Sequence, residues 1–423
     1  MGKKERRFGL RGRLALAFLL LAVLLLRFDT LNLTPVRLLA APYLFSVQQW
    51  EAAHLHQKWL YLLREALPGG SPSPQDHLAL LEDYLLVSRQ VQKEKDRLQG
   101  NPLRRGVGLG ATAATRETTA PSDEHLRELI KAQGKLRARA EETLESELSA
   151  VLESQGLASR WGLLFPPVDI RFEQPPTILV VSPRDRLLLS EAILLRPEVP
   201  LLERDRLERE VLEQYNLSAY VDDLGGLATY PSIIPDTYPL RMILQFASHE
   251  WLHQYLFFRP LGRYMRSSYE MYTLNETAAD LAGRELGDMA FARLGGDLTA
   301  SSSLFLPEEE RDPFLTQEMR KTRQQVEDLL AQGQVQDAEQ YMKERWWFFL
   351  LRGYPLRKLN QAYFAFRGSY AETPASVSPI GGQLRELRQL LPSVGDFIRA
   401  ISGIASYQQF LDLLEQLRAQ KAS

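Results

Sequence analysis

The chain has 423 residues, 45% of them apolar and 25% charged, with 26 Gly, 24 Pro and no Cys. This composition excludes a collagen-like, a purely coiled-coil or a wholly disordered chain, and the length suits two or three domains. With 51 Lys and Arg against 53 Asp and Glu, the net charge of -2 supplies no field for a nucleic-acid backbone, and the lack of Cys excludes disulfides, thiolate metal sites and a cysteine nucleophile. Any metal must therefore be held by nitrogen and oxygen.

The amino terminus carries Lys3, Lys4, Arg6, Arg7, Arg11 and Arg13 against a single acid, Glu5, followed by an unbroken apolar run from Leu14 to Leu26. That run spans about 20 Å as a helix, less than the roughly 30 Å hydrocarbon core. The flanking arginines can snorkel, the apolar pattern resumes after Arg27, and no small-residue cleavage triplet closes the run. An uncleaved signal anchor from about Leu10 to Phe28 is predicted, with its basic end in the cytoplasm and the rest of the chain outside. A cleaved signal peptide and an interfacial helix are the alternatives.

Helical periodicity marks Ser46 to Leu67, ended by Pro68-Gly69-Gly70-Ser71-Pro72, and again Gln75 to Leu98, ended by Gly100-Asn101-Pro102. Residues 105–122 are rich in Gly, Ala and Thr and read as an exposed loop. Asp123 then caps a long charged helix to about Leu157. These elements read as a helical hairpin or stalk between bilayer and catalytic domain.

Beyond Pro166 the period shortens. Val168–Phe172, Thr177–Ser182 and Leu187–Leu195 read as strands of a small antiparallel sheet. A charged helix from Leu201 to Tyr215 follows. Leu217–Tyr230, with Gly225-Gly226, reads as one more strand at an edge. From Pro239 the pattern is helical almost to the end, with breaks near Pro260, Gly295–Asp297, Gly353–Pro355 and Thr373–Gly382. Trp346-Trp347-Phe348-Phe349-Leu350-Leu351 is short for a membrane span and reads as a buried helix.

The predicted fold is mainly α with some β. Its units are an anchor over 1–45, a helical stalk over 46–157, a catalytic core over 158–300 and a C-terminal helical subdomain over 301–423.

The chemistry lies in His249-Glu250-Trp251-Leu252-His253, an H-E-x-x-H pattern inside a periodic helix. The i, i+4 spacing puts both imidazoles on one face, where they can converge on one Zn²⁺. Glu250 neighbours the first ligand and can reach a metal-bound water as general base. The remaining histidines, His54, His56, His77 and His125, all precede the strands, so a third ligand in the catalytic region must be a carboxylate. Glu276 is the candidate. It stands in Asn275-Glu276-Thr277-Ala278-Ala279-Asp280, far enough beyond His253 for a second helix to return antiparallel, and Asp280, one turn on, can accept the other ring N–H of His249.

His249-Glu250-x-x-His253 followed by Asn275-Glu276-x-x-x-Asp280 resembles the gluzincins, the thermolysin-like zinc metallopeptidases. The Glu276-x-x-Ala279-Asp280 wording also resembles membrane-associated zinc peptidases of the prenyl-protein protease and heat-shock types. The resemblance implies zinc on His249, His253 and Glu276, a Glu250 base, Asp280 behind the ligands, and a peptide substrate bound along an edge strand.

Two departures stand out. No downstream histidine is present to stabilise an oxyanion; Tyr363, Arg367 and Tyr370 are the candidate donors, each with an alternative reading as core aromatic or helix-end residue. The G-x-M-E-N motif of one aminopeptidase group is also missing, which favours internal peptide bonds. Gly225–Thr229 lies where a substrate-pairing edge strand is expected, with a plain loop as the alternative. The function expected is hydrolysis of peptide bonds by a membrane-anchored zinc enzyme, against a non-catalytic membrane-tethered assembly protein with a structural or vestigial metal site.

Overall fold

The structure, a computed structural model, describes residues 33–54, 74–98, 123–160, 162–299 and 312–422. The predicted anchor over Leu10–Phe28, the second half of the Ser46–Leu67 helix and the loop over 105–122 lie outside the described residues. Among those that are described, no helix is long and apolar enough to cross a membrane.

The fold is mainly helical with a small antiparallel sheet. After a short helix α1 (Pro35–Leu39) and helical residues 47–54 come the long pair α2 (Pro74–Leu98) and α3 (Asp123–Ser154). Strands β1 (Ile170–Phe172), β2 (Thr177–Pro183) and β3 (Glu191–Leu195) precede α4 (Leu201–Tyr215), β4 (Leu217–Asp223) and β5 (Ser232–Ile234). Then follow α5 (Leu240–Phe257), α6 (Pro260–Arg263), α7 (Tyr269–Arg293), α8 (Pro313–Ala331), α9 (Val335–Leu350), α10 (Gln361–Arg367), α11 (Ile380–Leu390), α12 (Val394–Ser402) and α13 (Tyr407–Ala422). Local chemistry sets several ends. Asn216 closes α4 in the left-handed region at φ 55°, while Ser268, Asn360 and Ser393 cap α7, α10 and α12 by accepting backbone N–H groups.

The antiparallel sheet has the order β3-β2-β4. Its alternation is used on both faces. Leu179, Val181, Ile193, Leu195, Ala219 and Val221 pack against α1 and α4, whereas Val180 and Tyr220 pack against α8, α9 and α10. β1 stands apart from this sheet, which corrects the sequence expectation: it pairs in parallel with β5, Ile170 opposite Ser232. On its other edge the N–H groups of Ile170 and Phe172 donate to Glu145 and Glu141 of α3 at 2.7 and 2.9 Å. The four-residue step from Glu141 to Glu145 rises about 6 Å and two strand residues rise about 6.6 Å, so a row of helix carboxylates serves as the missing strand neighbour.

The α2–α3 hairpin is no detached stalk. Leu81, Tyr84, Leu85, Leu144, Leu148 and Leu152 belong to the same core as Ile243, Leu244, Trp251, Leu274 and Ala278 of α5 and α7. The C-terminal residues divide between two cores, with α8–α10 on the sheet and α11–α13 on α7. The elements on either side of 158–300 thus share hydrophobic cores with it.

α5 and α7 form the most extensively packed pair of the described elements. Gly283 and Gly287 make this possible. A Cβ on Gly283 would sit 2.9 Å from the His249 backbone nitrogen, and one on Gly287 would sit 2.5 Å from that of Gln245. Arg241 and Gln245 of α5 close the far end on Asp288 of α7 at 2.7 Å.

Candidate metal centre

His249 and His253 point from successive turns of α5 toward α7, with ring centroids 4.6 Å apart. Their Nε2 atoms are 2.9 Å apart, and Glu276 Oε2 lies 3.4 Å from that of His253 and 3.9 Å from that of His249. Asp280 Oδ1 is 2.9 Å from Nδ1 of His249. It thereby fixes the tautomer, leaving Nε2 to present a lone pair toward the other two donors. Glu250, also buried, is carried beside them by the same helix.

Three carboxylates meet two imidazoles in this crowded space, and the electrostatics reflect it. Burial opposes a charge on His249, but Asp280, then Glu250 and Glu276, outweigh it and lift its pKa to about 9. Burial also opposes ionisation of Glu276 and Asp280, yet His253 and His249 hold the first below the ordinary value, and His249 with Arg284 the second. The site draws positive charge, either from protons or from a cation.

The donor set fits zinc. Two ligands at 2.0–2.1 Å from a tetrahedral ion lie roughly 3.3 Å apart. The three separations of 2.9, 3.4 and 3.9 Å bracket that edge. Two imidazole nitrogens and one carboxylate are ligands of the kinds zinc takes. Among the described residues, His249, His253 and Glu276 form the one group of at least three such side chains with converging ligand atoms.

The three candidate donors separate. Tyr370 stands among the site charges: burial, then Glu276, Tyr272, Asp280 and Glu250, push its pKa well above the ordinary value. Its segment is pinned to α7, with Ala371 N–H donating to Thr277 Oγ1 at 3.1 Å and Tyr269 OH to the Gly368 carbonyl at 2.8 Å. Tyr363 and Arg367 instead make their described contacts with β4. The ring of Tyr363 meets Tyr220 edge-on at 5.5 Å, and Arg367 pairs with Asp222 at 2.7 Å. Both lie on α10, which packs on β2 and β4.

The expected substrate-pairing strand is also corrected. β4 ends at Asp223, and its outer edge is occupied: Val221 N–H donates to Glu208 at 2.6 Å, the Val221 carbonyl accepts from Arg357 at 2.7 Å, and the Ala219 carbonyl accepts from Asn360 at 2.8 Å. Gly225–Thr229 is a loop. Leu227 bonds Ile233 in both directions at 3.0 Å, and the Thr229 carbonyl accepts from Gln254 of α5.

Several site residues escaped the sequence reading. Tyr272 stands one turn before Glu276, and burial followed by the Glu276 charge raises its pKa well above normal. Arg284, one turn after Asp280, pairs with buried Glu372 at 3.0 Å, which Arg385 reaches from the other side at 3.2 Å. Gly226 lies against Glu250: a Cβ there would lie 2.6 Å from Glu250 Oε1. The i, i+4 spacings of Tyr272 and Arg284 are visible in the sequence, but no pattern marks a phenol or guanidinium as the partner of a buried carboxylate. Compared with protein-family models, with curated proteins and with solved structures, the chain matches none of them.

Proposed function

We propose that the chain is a zinc-dependent peptidase tethered to the cell membrane by its N-terminal run, with the metal site on the extracytoplasmic side. The reading rests on the gluzincin-like order of H-E-x-x-H and N-E-x-x-x-D. One observation carries it: ligand atoms of His249, His253 and Glu276 all lie within 4.8 Å of one another, with Asp280 on the far nitrogen of His249.

Zinc, when bound, would polarise a peptide carbonyl and lower the pKa of water toward neutrality. Glu250 accepts the proton of the attacking water at its carboxylate and returns it to the departing amine nitrogen. Asp280 keeps the proton on Nδ1 of His249, which leaves Nε2 as the atom that would hold the metal. The Tyr370 phenol, held protonated by its surroundings, donates to the carbonyl oxygen as charge gathers there. With the β4 edge occupied, a peptide is held by side chains and by the Gly225–Thr229 loop rather than as an added strand.

The test is hydrolysis of a fluorogenic peptide library by the full chain, with and without a chelator, and by Glu250→Gln. Loss of about 10²- to 10⁴-fold in rate is expected for the variant. Equal hydrolysis by wild type and Glu250→Gln would overturn the reading.

A further inference from the structure

Residues 368–379, which join α10 to α11, contain one charged side chain, Glu372. It is 2% exposed, and guanidinium groups reach it from two helices: Arg284 of α7 lies 3.0 Å from Oε2, and Arg385 of α11 lies 3.2 Å from Oε1. Ala371 beside it already packs in the core that α7 and α11 share. Desolvation of a buried carboxylate offsets most of the attraction of its ion pairs, so this group is a weak source of net stability. What it adds is placement, because each carboxylate oxygen is tied to a different helix.

The group so placed stands two residues after Tyr370. Ser369, Ala371 and Glu372 are buried, whereas Tyr370 among them stays partly exposed, as a side chain that meets a substrate must. The ties of this segment run mainly to α7. Tyr269 OH donates to the Gly368 carbonyl, Thr277 Oγ1 accepts from the Ala371 N–H, and Arg284 pairs with Glu372. Farther on, Arg323 of α8 donates to the Ala375 carbonyl at 2.9 Å. Thr277 directly follows Glu276, and Arg284 stands one turn beyond Asp280, the acid on Nδ1 of His249. One helix therefore carries the third ligand, the carboxylate behind His249 and the anchors of the Tyr370 segment.

A second ion pair joins α7 to α11. Glu285 meets Arg388 at 2.7 and 2.8 Å, and neither has a described hydrogen bond or ion pair with residues 368–379. It links the same two helices without touching the Tyr370 segment, which makes it the natural comparison.

We propose that Glu372, clamped by Arg284 and Arg385, is a positioning residue that holds the Tyr370 phenol beside the metal ligands. The inference rests on the peptidase reading for what Tyr370 does to a substrate, and not for where the phenol is held. Two readouts on the full chain separate these. For the fluorogenic peptides, kcat should fall about 10²-fold in Glu372→Gln, as for a group displaced by about 1 Å, with KM and zinc content near those of wild type. Glu285→Gln should leave kcat unchanged. Adding Glu372→Gln to Tyr370→Phe should cost little more than Tyr370→Phe alone, since both act through one phenol. The second readout is fluorine NMR of a fluorotyrosine placed at position 370. Its single resonance should broaden or split in Glu372→Gln and stay as in wild type in Glu285→Gln. Glu372→Asp, which keeps the charge and draws the carboxylate back by one methylene, should disturb the resonance in the same way, and it serves if Glu372→Gln does not fold. A resonance unchanged by both substitutions at 372 would overturn the proposal whether or not the chain hydrolyses peptides. So would equal disturbance by Glu285→Gln, or additive losses of kcat in the double variant.

Discussion

At the residue scale, Gly226 stands directly against Glu250. A methyl group at position 226 would meet the Glu250 carboxylate at 2.6 Å and its Cγ at 2.9 Å, and the side chain of the base is what must give way. Gly226→Ala is therefore expected to lower peptide hydrolysis by about 10²-fold, the cost of a base displaced by about 1 Å, while zinc content stays that of wild type. Glu250→Asp supplies the check. Its shorter carboxylate leaves room for the methyl, so adding Gly226→Ala to Glu250→Asp should cost little more. Additive losses would place the fault elsewhere. The sequence displayed both glycines of Gly225-Gly226, but read them as a possible strand edge. What they do depends on how a loop before β5 approaches α5, a non-local contact that no spacing encodes.

At the scale of elements, α5 and α7 set the ligand geometry, and their spacing depends on two glycines. A side chain at 283 would press on the His249 backbone, from which a Cβ stands 2.9 to 3.0 Å. Gly283→Val should lower stability by about 1–3 kcal/mol and reduce zinc affinity, since separating the helices moves Glu276 away from both imidazoles. Thermal unfolding with and without added zinc reads both effects, and an unchanged affinity would contradict them.

Glu141 of α3 gives a pH signature of the carboxylate row along β1. Burial raises its pKa to about 7, against the opposing pull of Arg171 and the Phe172 N–H. An acid with a raised pKa in the folded state adds stability that is complete below its unfolded value near 4.5 and is lost as pH rises through 7. The difference amounts to roughly 3 kcal/mol. Denaturation of wild type and Glu141→Gln between pH 4.5 and 8 should show wild type losing stability relative to the variant as pH rises. Parallel curves would contradict the assignment.

Element boundaries were legible where local chemistry decides them. The α4 helix over 201–215 and the strand beginning at Thr177 follow from hydrophobic period, whereas the strand expected over Leu187–Leu195 begins only at Glu191. The parallel pairing of three-residue β1 with β5 was not legible, because so short a strand carries no pattern that names its partner. For the candidate site, the spacing of His249, His253, Glu276 and Asp280 foretold their proximity. Tyr363, Arg367 and Tyr370 lie on or just after one short helix, so their spacing alone does not say which of them faces the site.

Over the whole molecule, the helical hairpin is the element whose role the sequence hid. Apolar stripes on α2 and α3 show that these helices are buried on one side but not against what. They are buried against the metal-site helices. Residues 158–423 alone would uncover the faces of α5 and α7 against which the hairpin packs, and are expected to be insoluble or molten and to bind no zinc stoichiometrically. Soluble, cooperatively folding 158–423 would contradict this single shared core.

Zinc content tests the account most directly. Inductively coupled plasma mass spectrometry on purified full chain should find close to one zinc per chain, retained in Glu250→Gln and lost in Glu276→Ala. Wild type without zinc after refolding in its presence, or equal zinc in wild type and Glu276→Ala, would contradict the metal centre and the peptidase reading built on it.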